Sequence, residues 1–287
     1  MILSSLPDAV LEPFVRTSLE EDLGARGDIT TNAVIPPDSR GRAAFVTRRD
    51  GVIAGIDLAR LSFRTVDPSI VFKPEKLDGE KAKAGEAIAT VEGSLRGILT
   101  AERTALNFLA RLSGIATATR ALADAVKPYK TRVSCTRKTT PGLRVLEKYA
   151  VRAGGGVNHR FGLYDAVLIK DNHLAAAGGV RAAVLKARAA VGPCVKVEIE
   201  VDTIEQLREV LDLPLDAVLL DNMDTAMLAE AVRMVNGRFE TEASGGISPA
   251  NAAAIAATGV DVISSGWVTH SAPALDIGLD YVSETAG

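Results

Sequence analysis

From residue 130 onward the chain repeats one unit, a short apolar run followed by a helical pattern, and this rhythm limits the fold more than any other feature. The runs are "TRVSCT" (131–136), "DAVLI" (165–169), "VKVEIE" (195–200), "DAVLL" (216–220), "RFETEAS" (238–244) and "VDVISS" (260–265). Between them lie "PGLRVLEKYAVRAG", "VRAAVLKARAAVG", "TIEQLREVLDL", "TAMLAEAVRMV" and "SPANAAAIAATG", with apolar residues at helical spacing. Short strands that need burial on both faces, each followed by a helix, predict a parallel sheet closed or nearly closed into an α/β barrel. Six strands are legible. A complete eight-stranded barrel would need two more, which the sequence does not supply.

The first 112 residues have a different texture. "EPFVRTSLEEDLG" reads as a helix with Phe14, Leu19 and Leu23 on one stripe, and the strand candidates are "GRAAFVTR", "GVIAGI", "IVFKPEKL" and "AIATVEGS". "LDGEKAKAGEAIATVEG" resembles the hairpin of lipoyl and biotinyl carrier domains, turning at Asp78-Gly79 and bending at Gly85, but its tip "EGSLRG" has no lysine to modify, so it is structural. "TAERTALNFLARLSGIATATRALADAV" is a long helix with Leu106, Leu109, Leu112, Ile115 and Ala116 recurring at its period. The division expected is a 1–112 domain, joined by the tail 270–287, and a barrel domain over 113–269.

Composition fits this reading and excludes others. The 287 residues are 47% hydrophobic and only 4% aromatic, as in helices packed on strands. A net charge of −3 provides no basic field for nucleic acid or an anionic membrane. No stretch approaches the roughly 18 apolar residues of a membrane span, and "MILSSLPDAVLEPF" has no signal-peptide pattern. Cys135 and Cys194 fit no zinc or redox spacing and read as reduced core residues. A soluble, cytoplasmic protein is expected.

In barrels and open α/β sheets ligands bind at the carboxyl ends of the strands. Here those ends read Arg137-Lys138, Lys170-Asp171-Asn172-His173, Glu200, Asp221-Asn222, Ser244-Gly245-Gly246 and Ser265-Gly266. One or two polar ends would be ordinary; six of six argue for a site. Arg103, Arg137, Lys138, Arg160 and Lys170 provide a cationic pocket in an acidic chain, suited to carboxylates and phosphates. The glycine-bearing ends offer backbone N–H groups to phosphate. Glu200 and Asp221, one strand–helix unit apart, suit ribose hydroxyls or a magnesium ion shared with a diphosphate. The plain alternative for the two carboxylates is ion pairing with the nearby lysines.

"CTRKTTPGLRVLEKYAVRAGGGVNHRFGLYDAVLIKDNH", with "EDLGARGDITT", "ERTALNFLARLSGIAT", "VEIEVDTIEQ", "VLLDNM", "EASGGIS" and "THSAPALDIGLD", resembles the quinolinate phosphoribosyltransferase family over about residues 16–281. The resemblance implies an N-terminal α/β sandwich domain followed by an incomplete barrel of seven strands. It also implies a homodimer with shared active sites, or a hexamer of three such dimers, in which Arg103 enters the partner's site. The implied reaction joins quinolinate to phosphoribosyl pyrophosphate, giving nicotinate mononucleotide, carbon dioxide and pyrophosphate on the route to NAD. The implied substrate contacts are Arg103, Thr136, Arg137, Lys138, His159, Arg160, Lys170, Glu200, Asp221, Ser244, Gly245, Gly246, Ser265 and Gly266. Lys138, Lys170, Glu200 and Asp221 would be catalytic. Glu200 and Asp221 would hold Mg2+ with the diphosphate, directly or through water, and no organic cofactor is implied. His173 and His270 read as structural.

Three other readings make different demands. A related pyrophosphorylase-like protein of molybdate-transport type should lack part of the arginine set, which is complete here. A non-catalytic barrel that binds phosphometabolites predicts gaps among Lys138, Lys170, Glu200 and Asp221, and there are none. An aldolase with a Schiff-base lysine wants an apolar pocket, whereas Lys170 sits among arginines.

Overall fold

The computed structural model describes residues 3–281, which form two compact units. One holds the chain up to Ala118 with Arg152–Gly154 and the segment from Ala272 onward; the other holds Thr119–Val151 and Gly155–Ser271.

The first unit contains α1 (Asp8–Leu23), α2 (Ile29–Val34), β1 (Arg40–Thr47), β2 (Gly51–Val52), α3 (Ile56–Val66), β3 (Val71–Pro74), β4 (Lys81–Ala82), β5 (Ala87–Ser94) and the start of α4 (Leu95–Val126). In β1, Ala43, Phe45 and Thr47 are buried in strict alternation, the signature of a strand with one face on a core. That face carries Phe45, which meets Phe63 of α3 and Phe72 of β3 at ring distances of 5.8 and 6.0 Å. Ala105, Leu106 and Leu109 of α4 complete the same core. Sheet and helices sharing one core make this unit an α/β sandwich. Helix α3 lies where the sequence reading placed nothing between two strand candidates. The stripe expected on α1 also differs: Leu11, Val15 and Leu19, spaced i, i+4, i+8, are the buried residues, while Phe14 and Leu23 are half-buried. The hairpin turns at Gly79 (φ 91°) and Gly85 (φ 85°), conformations that favour glycine.

The second unit contains β6 (Arg132–Ser134), α5 (Arg144–Ala153), β7 (Val167–Ile169), α6 (Asp171–Ala177), α7 (Val180–Ala190), β8 (Val197–Val201), α8 (Ile204–Val210), β9 (Ala217–Asp221), α9 (Thr225–Val235), β10 (Glu240–Ser244), α10 (Ala252–Ala256), β11 (Val262–Ser264) and α11 (Trp267–His270). All six expected strands are present and pair in parallel in the order β6-β11-β10-β9-β8-β7. In place of a seventh strand, a single bridge joins Ser134 to Val157, whose N–H reaches the Val133 carbonyl at 2.8 Å. Among the described residues the barrel is therefore incomplete, with six strands. The chain ends its described course in β12 (Ile277–Tyr281), which lies antiparallel to β1 at the edge of the first sheet. Cys135 is buried, but Cys194 is exposed after α7 rather than in the core.

Candidate active site

The loop after β6 carries the first two cations, and its shape is set from below. The Thr136 hydroxyl accepts the Lys138 N–H at 3.0 Å, an internal turn that competes with extended backbone. The fully buried Glu147 of α5 accepts the Thr140 N–H and hydroxyl at 3.1 and 2.7 Å. The Thr269 hydroxyl donates to the Lys138 carbonyl at 2.7 Å. Arg137 projects from this fixed backbone with a buried Nε that has no acceptor among the described residues. A buried guanidinium donor left unmatched is set to meet an anion.

The next loop, 155–161, can approach β6 closely because Gly156 has no side chain. A Cβ there would lie 2.8 Å from Thr119 Cγ2 and 3.2 Å from the Val133 carbonyl. Lys148, fully buried, donates from Nζ to the His159 carbonyl at 2.7 Å and sits 5.0 Å over the Phe161 ring. Burial holds its ammonium below the usual lysine range. Arg160 is likewise held below the ordinary guanidinium value, first by burial and then by the charge of Arg137 beside it. Two guanidiniums kept this close is a ground state that a dianion would relieve. His159, expected among the groups gripping substrate, has its ring facing the interior of the sheet beside Glu198. Its Nδ1 accepts the Arg160 N–H at 2.8 Å and its Nε2 lies 3.1 Å from Glu198 Oε2.

At the end of β7, Lys170 forms an ion pair with Glu200 at the end of β8, so the carboxylate–lysine pairing foreseen as the plain alternative exists for Glu200. His173 accepts the Lys170 N–H through Nδ1 at 2.9 Å, a cap on α6 and thus a structural bond. Asp221 ends the neighbouring β9 with one oxygen accepting from Asn222 Nδ2 at 2.6 Å. Asn222 adopts φ 54°, and its side chain occupies the space left by Gly245.

A cavity of about 420 Å³ joins the end of β9 and the loop after β6 to the glycine-bearing ends of β10 and β11, without Lys170 or Glu200 in its lining. Lys138, Asp221, Ser244, Gly245, Gly246, Ser265 and Gly266 line it, together with Asn222, Ser248, Trp267 and His270. Asn222, Ser248 and Trp267 carry no role in the sequence-based expectation. His270, read there as structural, bonds Ser271 through Nδ1 at 2.6 Å while facing this space. A further cavity of about 180 Å³ lies deeper in the second unit. His159, Arg160, Glu198 and Glu242 line it, with Arg132, Lys196 and Glu240 toward the amino ends of the strands. Glu198, Glu240 and Glu242 place carboxylates within strands whose pattern is otherwise mostly apolar. Arg103 belongs to the first unit, exposed on the face of α4 away from Ala105, Leu106 and Leu109.

Two family models match the chain: the quinolinate phosphoribosyl transferase N-terminal domain over residues 28–113 and the C-terminal domain over 115–280. A Nicotiana tabacum protein named mitochondrial quinolinate phosphoribosyltransferase [decarboxylating] 2b is 45% identical over 302 residues, covering 98% of this chain and 84% of its own length. A Synechocystis protein named probable nicotinate-nucleotide pyrophosphorylase [carboxylating] is 43% identical, covering 96% of this chain and 94% of its own. Among solved structures, the nicotinate-nucleotide pyrophosphorylase from Francisella tularensis superposes with a TM-score of 0.93 at 40% identity, covering 98% of this chain and 99% of that one.

Proposed function

The chain belongs to the quinolinate phosphoribosyltransferase family, and from that premise we propose how its own residues carry the family's reaction. That reaction transfers phosphoribosyl from phosphoribosyl pyrophosphate to quinolinate with decarboxylation, as the carboxylating nicotinate-nucleotide pyrophosphorylase step of NAD biosynthesis. The observation that carries the residue assignment is the half-buried guanidinium pair Arg137 and Arg160, the buried Nε of Arg137 unmatched, next to a cavity rimmed by Lys138 and Asp221. Quinolinate brings two carboxylates, and forked cationic donors match them. Arg137, Arg160 and Lys170 take the dicarboxylate, with Arg103 supplied by a partner subunit in a homodimer. Thr136 shapes the loop that presents Arg137 and Lys138.

The 420 Å³ cavity suits the phosphoribosyl half. Backbone N–H groups around Ser244-Gly245-Gly246 and Ser265-Gly266 receive the 5′-phosphate, and Lys138 holds the diphosphate. Glu200 and Asp221 end neighbouring strands as all-oxygen donors, which fits magnesium. Bound there, the ion would neutralise charge on the diphosphate. The pyridine nitrogen attacks C1′ while the C1′–oxygen bond breaks and pyrophosphate leaves with its electron pair. The ring nitrogen, now cationic, stabilises the electron pair left at C2 when the neighbouring carboxylate departs as carbon dioxide, and C2 takes up a proton. Positioning and electrostatics supply most of the catalysis. Two free cysteines accord with a reducing, cytoplasmic setting.

The test mixes the protein with quinolinate, phosphoribosyl pyrophosphate and magnesium, and measures nicotinate mononucleotide and carbon dioxide. Nicotinate in place of quinolinate leaves a cationic donor unpaired, so turnover should fall by several orders of magnitude. Comparable turnover of the two acids would refute the assignment of the arginines.

A further inference from the structure

We propose that Glu198 and Glu242 are positioning residues for the dicarboxylate half of the site: they hold His159 in the Nε2–H tautomer, and His159 fixes the backbone that carries Arg160. The role given to Arg160 rests on the function proposed above.

Side chains two residues apart on a strand share a face. Because Glu200 and Ser244 face the mouth, Glu198 and Glu242 face the same interior one step deeper. There Glu198 Oε2 stands 3.1 Å and Glu242 Oε1 3.6 Å from His159 Nε2. All three side chains are nearly enclosed, at 13%, 10% and 8% exposure for His159, Glu198 and Glu242. On the other edge of the ring, Nδ1 accepts the Arg160 N–H at 2.8 Å, and the His159 carbonyl accepts from Lys148 Nζ at 2.7 Å. An imidazole that accepts at Nδ1 and is uncharged carries its proton on Nε2. That proton points at the two carboxylates, so the residue is tied at three points.

The three ligand-type atoms lie within 4.8 Å of one another, which raises the question of a cation. Nδ1 answers it: a metal on Nε2 would require either an imidazolate or the loss of the Arg160 bond. Among the described residues Glu198 Oε1 and Glu242 Oε1 have no hydrogen-bond partner, and two carboxyl groups buried around one N–H disfavour each other's charge. Burial first, and then the charge of Glu198, push Glu242 up to about 7. For His159, burial disfavours the charged ring while the bond to Glu198 and the charges of both carboxylates favour it, with a net upward shift. A second ring proton would have to sit on Nδ1, against the Arg160 N–H. The extra proton of the cluster therefore settles on Glu242, and Glu198 Oε2, at 3.1 Å, is the acceptor that orients the ring.

With three histidines in the chain, a protein labelled with 15N in its imidazoles gives few signals, and a His159→Gln sample identifies the one that matters. The result expected in the wild-type protein is a protonated Nε2 and a bare Nδ1, unchanged by added zinc. A charged ring, an Nδ1–H ring, or zinc bound with displacement of the Nε2 proton would overturn the proposal. Steady-state rates of Glu198→Ala and Glu198→Gln, each substrate varied in turn, provide the second reading. Losing the acceptor of the Nε2–H should raise the quinolinate KM about tenfold in Glu198→Ala, with the phosphoribosyl pyrophosphate KM within about twofold. Glu198→Gln, whose amide oxygen still accepts from Nε2, should recover the quinolinate KM to within about threefold and remains informative if the alanine variant does not fold. Both KM values rising together, or no effect on either, would overturn the positioning role. Absence of any quinolinate turnover in the wild-type protein would instead overturn the proposed function and the role of Arg160, while leaving the tautomer result standing.

Discussion

Gly245 and Gly246 are adjacent, both have positive φ and both directly follow β10, yet replacing each by alanine should have different consequences. Gly246 has φ 60° and nothing within 4 Å of where a Cβ would stand. That φ falls in the small left-handed well open to ordinary residues, so Gly246→Ala should cost about 1 kcal/mol of strain. Gly245 has φ 101°, outside that well, and its Cβ would lie 2.2 Å from Asn222 Oδ1 and 3.0 Å from the Asn222 nitrogen. Strain of about 1–3 kcal/mol there adds to overpacking of about 1–3 kcal/mol. Asn222 cannot retreat freely, because its Nδ2 is bonded to Asp221 at 2.6 Å and its N–H to the Ser244 carbonyl at 3.0 Å. Moving it would turn Asp221 away from the cavity.

The expected outcome is a stability loss of about 1 kcal/mol for Gly246→Ala and about 3–5 kcal/mol for Gly245→Ala. At about 2–4 °C per kcal/mol, thermal melts of the two variants should differ by several degrees or more. The phosphoribosyl pyrophosphate KM should rise more for Gly245→Ala, through Asp221, than for Gly246→Ala. Equal melting shifts, or a larger kinetic defect at Gly246, would refute the argument that Asn222 packing distinguishes the two positions.

Lys138→Ala and Asp221→Ala should each lower activity at least tenfold while leaving circular dichroism and melting essentially unchanged, since both sit at strand ends that the barrel core does not need; an unfolded variant would mark that residue as structural. Arg103→Ala and Lys170→Ala should each be nearly inactive, and mixing them under subunit exchange should restore roughly a quarter of wild-type activity, because about half the dimers are mixed and each has one intact site; no recovery with exchange demonstrated would place Arg103 outside the partner's site. Glu242 has a folded-state value raised to about 7 from an ordinary 4.5, so its contribution to stability is fully present below pH 4.5 and is lost as pH rises through 7. Glu242→Gln, neutral throughout, should therefore gain on the wild-type protein by a few kcal/mol between pH 5 and pH 8 in denaturant melts, and a pH-independent difference would contradict this.

The parts of this molecule that were legible in its sequence are those whose geometry is forced by a short period. Six strands showed as apolar runs, and their carboxyl ends could be read off because a parallel sheet puts every such end on one side. Helix α3 was hidden for a different reason. Ile56, Ala59 and Phe63 hold the helical spacing, but Ile56 is itself the end of the apolar run "GVIAGI", and short apolar runs do not distinguish strand from helix. Strand β12 is five residues with a glycine at a sheet edge, a pattern that composition alone does not mark. The inward turn of His159 depends on a side-chain rotation that no spacing encodes. Glu198 and Glu242 are another matter, because the signal for them was present. Once Glu200 and Ser244 are placed at the mouth, the two-residue period of a strand requires 198, 242 and 240 to face the same interior. "VEIEV" and "ETEAS" then announce carboxylates beneath the site instead of an apolar core. Counting back by twos from each strand end turns a list of mouth residues into a prediction of what supports them, and here it leads from Glu200 to Glu198, from Glu198 to His159, and so to the backbone of Arg160.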